Sequence, residues 1–261
     1  MQQFWIAFIS IMTLWPAAGK ATPVKEQHEF YRISVYHFVN SSQEQVLDQY
    51  FEKAFLPFLH KNKFDRVGVF KPLANDTAAD KKIYLFLQAT TLEKLVSIDG
   101  LLAADGVYQE AAKDFAKASF DNAPFTRIET ILLRSFRLTP KMALPVLSTP
   151  KSDHIYELRS YESPTESLYT SKVKMFNEGG EIAIFKRLKF NAVFYADVLS
   201  GSHMPNLMYM TSFDDLEARN SHWKSFSSDS DWKNLSSLPE YQHNVSHADV
   251  ILMRAADYSD F

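Results

Sequence analysis

Met204-Pro205-Asn206-Leu207-Met208-Tyr209-Met210-Thr211-Ser212-Phe213, followed at once by Asp214-Asp215-Leu216-Glu217-Ala218-Arg219-Asn220-Ser221-His222-Trp223-Lys224-Ser225-Phe226, is the stretch that decides the fold. It reads as a buried strand running straight into a helix capped by acids. The same pattern occurs about half a chain earlier. Lys81 to Glu93 aligns without gaps on Pro205 to Glu217, an offset of 124, so that Ile83 meets Leu207, Leu92 meets Leu216 and Glu93 meets Glu217. At the same offset Val69-Phe70 falls on Val193-Phe194, Asp105 on Asp229 and Tyr108 on Trp232. Tyr31, Ile33 and Tyr36 meet Tyr156, Leu158 and Tyr161 at an offset of 125, and Ile131-Leu132-Leu133-Arg134 meets Ile251-Leu252-Met253-Arg254 at 120. Matching segments in one order with nearly constant spacing identify a tandem duplication.

Each copy carries the same order of elements. The first predicts a strand near 29–38 and a helix opened by the cap cluster Asn40-Ser41-Ser42. Val46, Leu47, Tyr50, Phe51, Ala54, Phe55, Phe58 and Leu59 form its buried stripe, and Pro57 kinks or ends it. Strands follow near 65–71 and 82–89, then helical segments from 91 to about 118 interrupted near Asp105-Gly106, then a strand near 127–137. The second copy predicts strands at 154–161, 190–199, 206–213 and 247–255, with helices at 165–188, 214–226 and 229–235. The chain has only 7 glycines, so the pair Gly179-Gly180 stands out, and it reads as a break in the helix over 165–188. Thr139 to Asp153, with Pro140, Pro145 and Pro150 and no periodicity, reads as a linker between a domain at 27–138 and one at 154–261.

Strand, helix, strand, strand, helix, strand is the ferredoxin-like split unit, an antiparallel sheet with helices on one face only. The bare face of each sheet needs a cover, and the sibling copy supplies one. The expected fold is therefore α+β: two tandem ferredoxin-like domains packed sheet to sheet as a pseudo-dimeric α/β barrel.

Composition narrows the partners. Over 261 residues, 46% hydrophobic, the formal net charge is −3 and no long basic run exists, so nucleic acid and anionic membrane surfaces are not expected partners. There is no cysteine, which removes disulfides, thiolate chemistry and a lipid-modified cysteine together. Phe4 to Trp15 is apolar but too short to span a bilayer, which takes roughly 20 residues. With the small residues around Gly19 and Ala21 it reads as a signal peptide over 1–21, although no Lys or Arg precedes it. The expected location of the mature chain is secreted or periplasmic, without a membrane span.

The second copy resembles the NIPSNAP family. The residues that carry the resemblance are Ile155-Tyr156-Glu157-Leu158-Arg159-Ser160-Tyr161, Val193-Phe194-Tyr195, the block Met204 to Phe226, Asp231-Trp232-Lys233, and Leu252-Met253-Arg254 through Tyr258-Ser259. The first copy is similar only through the internal repeat: it has no His-Trp pair, and Arg32 stands where Glu157 does. The resemblance implies a dimeric α/β barrel and no particular reaction or cofactor. Haem-degrading and quinol-type monooxygenases share that barrel, which is fold-level analogy only.

Strand alternation puts Glu157, Arg159 and Tyr161 on one face and Tyr156 and Leu158 on the other. With the apolar pair under the helices, the charged set would face the partner sheet. There it could orient a ligand or fix domain register as an ion pair. Taking Leu216 as reference, Arg219, Trp223 and Phe226 share a helix face, so Trp223 reads first as a packing residue; His222 lies on the flank. His243 and His247 are four apart, but a strand begins at once, so no metal site is expected. No Gly-x-Ser-x-Gly, phosphate loop or dinucleotide fingerprint is present. Met204, Met208 and Met210 read as core.

The resulting expectation is a module that binds a small, partly apolar molecule between its sheets, using Glu157, Arg159, Tyr161, Tyr195, Tyr209, His222 and Trp223. Two alternatives stand beside it: an oxygenase- or isomerase-like enzyme with His222 as acid or base, and a non-catalytic interaction protein with a filled barrel. Further oligomerisation is open.

Overall fold

A computed structural model describes residues 27–261; the leader reading at 1–21 falls outside the described residues. The first copy runs β1 (Phe30–Phe38), α1 (Ser41–Tyr50), α2 (Leu56–Lys61), β2 (Val67–Pro72), β3 (Lys81–Ala89), α3 (Leu92–Val96), α4 (Ile98–Ala104), α5 (Gly106–Ala111), α6 (Lys113–Ala116) and β4 (Arg127–Ser135). The second runs β5 (Ile155–Glu162), α7 (Glu166–Asn177), α8 (Glu181–Arg187), β6 (Asn191–Ser200), β7 (Asn206–Phe213), α9 (Leu216–Ser228), α10 (Ser230–Ser237) and β8 (His247–Ala255). Among the described residues no helix is long and apolar enough to cross a membrane.

The eight strands close into one antiparallel barrel in the order β1-β3-β2-β8-β5-β7-β6-β4. Each copy supplies four consecutive strands. The copies join at two short seams, where Phe70–Pro72 pairs with Met253–Ala255 and Leu132–Ser135 pairs with Ala196–Ser200. Neighbours are antiparallel all the way round, so β1 and β5 run the same way and their C-terminal ends open at one rim, the mouth. Closure leaves no free edge along the paired stretches.

Local chemistry explains why both copies take the same form. Thr91 and Asp215 occupy equivalent positions and both cap a helix, accepting from Lys94 N at 3.3 Å and from Ala218 N at 2.7 Å. Asp105 and Asp229 are likewise equivalent and cap α5 and α10. Such caps are each worth about 1 kcal/mol. Pro57 lacks an N–H for Lys53, and the chain passes through a π turn (Phe51–Phe55) before helical pairing resumes in α2. Gly180 sits at φ +93 and separates α7 from α8. A Cβ on Gly179 would lie 2.6 Å from the Met175 carbonyl oxygen, so the turn requires both glycines.

The barrel is filled from its base. Tyr31, Phe86 and Phe194 form a ring cluster with centroids 5.1–5.4 Å apart, and Phe70 meets Tyr156 at 4.8 Å. Phe261 packs on Phe70 and Phe86, and Met142 is buried in the same cluster. Full burial of each ring contributes about 1.5–3 kcal/mol. Met142 belongs to the proline-bearing segment read as a linker. That segment is fastened to the barrel: Ala143 N donates to Val193 O at 2.9 Å, and the Asp214 carboxylate accepts from Ser148 N and Thr149 N. Outside the barrel, Phe51, Phe55 and Leu59 anchor the helices of the first copy, while Phe176, Phe185 and Phe226 anchor those of the second.

Candidate functional site

Glu157, Arg159 and Tyr161 do not face the partner sheet. Tyr156 and Leu158 point into the barrel, and the charged set points outward beneath α9. Both faces of a barrel strand are buried, so alternation separates two sets of residues without saying which is inside. The interior of this barrel offers an apolar lining. The helix layer offers partners, and the charges go where the partners are. Glu157 is fully buried; its Oε1 accepts from Arg159 Nε at 2.5 Å, and its Oε2 from Arg219 Nε at 2.6 Å and Trp223 Nε1 at 2.9 Å. The Arg159 guanidinium lies 3.6 Å over the Trp223 ring and donates to Tyr161 Oη at 2.9 Å, and Tyr161 meets Tyr209 at 2.9 Å. Tyr195 stacks on Tyr209 in the same layer, with ring centroids 5.6 Å apart. Burial raises the hydroxyls of both Tyr195 and Tyr209 far above the ordinary tyrosine range, so both stay neutral.

His222 also belongs to this outer layer. Its Nδ1 bonds the Ala218 carbonyl at 2.7 Å, and its ring packs on Phe190 and Phe213. It has no path to the barrel interior. Trp223 packs between helix and sheet against Phe185 and Phe190. Leu216, used as the reference for the buried helix face, is exposed; Arg219, Trp223 and Phe226 face the sheet. All seven predicted site residues are thus gathered in one layer, on the opposite side of the sheet from the barrel lumen. Of the methionines, Met208 and Met210 line the lumen, whereas Met204 is half exposed.

The open space between the sheets lies at the mouth. A cavity of about 580 Å³ is floored by Val35, Tyr84, Ile131, Met208 and Ile251 and rimmed by His37, Asp80, Lys82, Glu129, Ser160 and Asp249. The connection after β2 overhangs one side, held down by Asn75, which exchanges hydrogen bonds with the Lys82 backbone at 2.8 and 3.0 Å. His37 is the most deeply buried polar group of this site, 1% exposed. Asp80 accepts from its Nδ1 at 2.9 Å. Glu129 lies 3.2 Å from Nε2, but without the alignment of a hydrogen bond, so Nε2 has no hydrogen-bond partner. Asn206 donates to Ser160 Oγ at 2.7 Å and leaves its own Oδ1 unpaired. Partial burial works against the charge on Asp80, but His37, Lys82 and Arg127 outweigh it and hold the carboxyl below its ordinary value of 3.8. Burial first, then the carboxylates of Glu129, Asp249 and Asp80, push the Tyr84 hydroxyl above the ordinary range, so it stays a neutral donor.

No residue of this mouth was among the sequence candidates. One signal existed: Tyr31, Ile33, Val35 and His37 form a single alternating row, all nearly fully buried, in which a histidine continues an apolar series.

With the fold and the outward Glu157–Arg159 strand in place, comparison with known proteins bears on the second copy. The NIPSNAP family profile matches residues 156–260. The second copy is a NIPSNAP domain. A NIPSNAP family protein from Agrobacterium tumefaciens is 18% identical, with 41% of this chain covering 98% of that one at a TM-score of 0.37. The whole two-copy chain is similar to a proposed monooxygenase from Fusobacterium nucleatum at 5% identity and TM-score 0.56, over 88% of this chain and 94% of that one. It is also similar to an anthrone oxidase-like protein at 8% identity and TM-score 0.54, over 88% and 92%. At these identities the likeness is one of fold: a dimeric α/β barrel built within one chain. Among curated proteins no sequence matches.

Proposed function

We propose that this NIPSNAP-domain protein binds one small, partly apolar molecule in the barrel mouth. The observation that carries the reading is the open cavity between the sheets with buried His37 at its rim, its Nε2 without a hydrogen-bond partner. The floor of Val35, Tyr84, Ile131, Met208 and Ile251 suits an apolar body. The rim sets the carboxylates of Asp80, Glu129 and Asp249 against Lys82, which favours a polar end that donates hydrogen bonds or carries positive charge. This reading keeps the ligand between the two sheets and moves it to a different set of residues.

Native mass spectrometry of the unheated protein, followed by thermal-shift screening of small amphiphiles, tests this. Wild type is expected to carry or acquire one ligand. Met208→Trp, which fills the floor, is expected to lose it. A wild-type chain that takes no ligand, or a Met208→Trp variant that binds as well as wild type, overturns the reading in favour of a non-catalytic interaction protein.

One observation favours an enzyme as the second reading: the Asp80–His37 pair, a carboxylate orienting an imidazole beside the cavity, is the arrangement of a general base. The oxygenase or isomerase alternative would then run through His37 rather than His222. We also read the chain as exported; N-terminal sequencing of the mature protein, beginning after Gly19 or Ala21, tests that.

A further inference from the structure

We propose that the second copy carries a binding site for one divalent transition-metal ion at the mouth rim, with Glu162, His247 and Asp249 as its protein ligands. Strand register brings the three together. Glu162 stands directly opposite His247 in the β5–β8 ladder, and Asp249 follows two residues later on the same side of β8. Their ligand atoms lie within 4.8 Å of one another, and among the described residues no other trio of His, Asp and Glu converges in this way. Metal–donor bonds of about 2.0–2.2 Å set donors roughly 3–4 Å apart, which small side-chain rotations at this half-exposed rim can reach. His203 Nδ1 sits 2.7 Å from Glu162 Oε1 and steers that carboxylate.

Charge supplies the second argument. Glu162 and Asp249 are neighbouring carboxylates, and among the described residues their ion-pair partners are the histidines His203 and His247. The first copy shows the other solution to the same problem. In the equivalent register His37 stands opposite Arg127, with Glu129 two residues on. There the Arg127 guanidinium lies 2.9 Å from Glu129, so a built-in cation occupies the position that His247 takes in the second copy. Duplication followed by divergence has left one rim neutralised by an arginine and the other with an imidazole and two carboxylates. That donor set suits Zn²⁺, Co²⁺ or Mn²⁺. Because Asp249 also lines the cavity, the remaining coordination position adjoins it. The site stands on its own geometry, whether or not the cavity takes an organic ligand.

The test uses untagged full-length protein, stripped with chelator and dialysed, then titrated with Zn²⁺ by calorimetry and with Co²⁺ by visible absorption. One ion per chain is expected. His247→Ala and Asp249→Asn should each weaken binding at least about tenfold. His247→Arg, which copies the first-copy solution, should abolish the Co²⁺ band and leave the melting temperature at or above wild type. His243→Ala, an exposed histidine four residues away, should bind as wild type does. Absence of stoichiometric binding, equal binding by the His247 and Asp249 variants, or equal weakening by His243→Ala would overturn the assignment.

Discussion

Replacing Glu157 by Ala tests the claim that the charged layer under α9 is structural. The carboxylate is fully buried and accepts three hydrogen bonds, from Arg159, Arg219 and Trp223. Its removal leaves two guanidinium groups, 15% and 20% exposed, without their shared counter-ion, and an indole N–H without an acceptor. Breaking a buried pair in this way costs about 3–5 kcal/mol. A chain of this size loses about 2–4 °C per kcal/mol, so the melting temperature should fall by about 6–20 °C. Urea unfolding gives the free energy directly, and an unchanged slope confirms that the same surface is exposed. The triple variant Glu157→Met, Arg159→Met, Arg219→Leu removes both signs together and with them the cost of dehydrating the ions. It should recover most of the loss of the single variant, short of the indole N–H that still lacks an acceptor. The first copy already uses part of this solution, since Leu95 stands at the position equivalent to Arg219 and is fully buried. Neither variant should change ligand uptake at the mouth, which lies across the sheet. A loss below about 1 kcal/mol in the single variant, or a triple variant as unstable as the single, would refute the reasoning.

Two further outcomes follow from the geometry. Asp80 is held below its ordinary value, so its contribution to stability is present above about pH 4 and disappears as pH falls through the lowered folded value. Asp80→Asn should flatten that part of the acid limb when unfolding free energy is followed against pH, and an unaltered limb would show that the His37 contact is not coupled to folding. Gly180→Ala forces a side chain to φ +93 at the α7–α8 turn and should cost about 1 kcal/mol or more in urea unfolding, whereas a neutral or stabilising result would mean that the turn relaxes.

The sequence made the duplication legible because its repeated features are local: caps at Thr91, Asp105, Asp215 and Asp229, and apolar rows spaced by two along each strand. From the duplication the barrel follows, since each sheet has one face without helices. The facing of β5 was not legible. Alternation is silent on inside and outside when both faces are dry, and the residues that settle it, Arg219 and Trp223, come from α9, more than 60 positions away. The mouth was hidden for the same reason. His37, Asp80, Glu129 and Ser160 sit on four different segments, and none belongs to a short motif; closure of the sheet assembles them. His247 was weighed against His243 along the chain, whereas its partner Glu162 stands across the ladder.

Divergence between the copies also makes the two walls of the mouth unlike. A barrel made from two identical subunits presents each wall position twice, and any ligand on its axis meets a two-fold environment. Here the register of each half places Val35 against Ser160, Tyr84 against Met208, His37 against Glu162 and Arg127 against His247 as structural equivalents. One wall carries the buried imidazole, the phenol, an arginine and the carboxylates of Asp80 and Glu129; the other carries a thioether, a hydroxyl, the carboxylates of Glu162 and Asp249 and the imidazole of His247. Two-fold related groups of any molecule in the cavity would therefore meet different chemistry at the two positions. Fusion of the copies into a single chain is what permits this asymmetry. A pair of separate subunits encoded by one gene would acquire His37 or Glu162 on both walls at once.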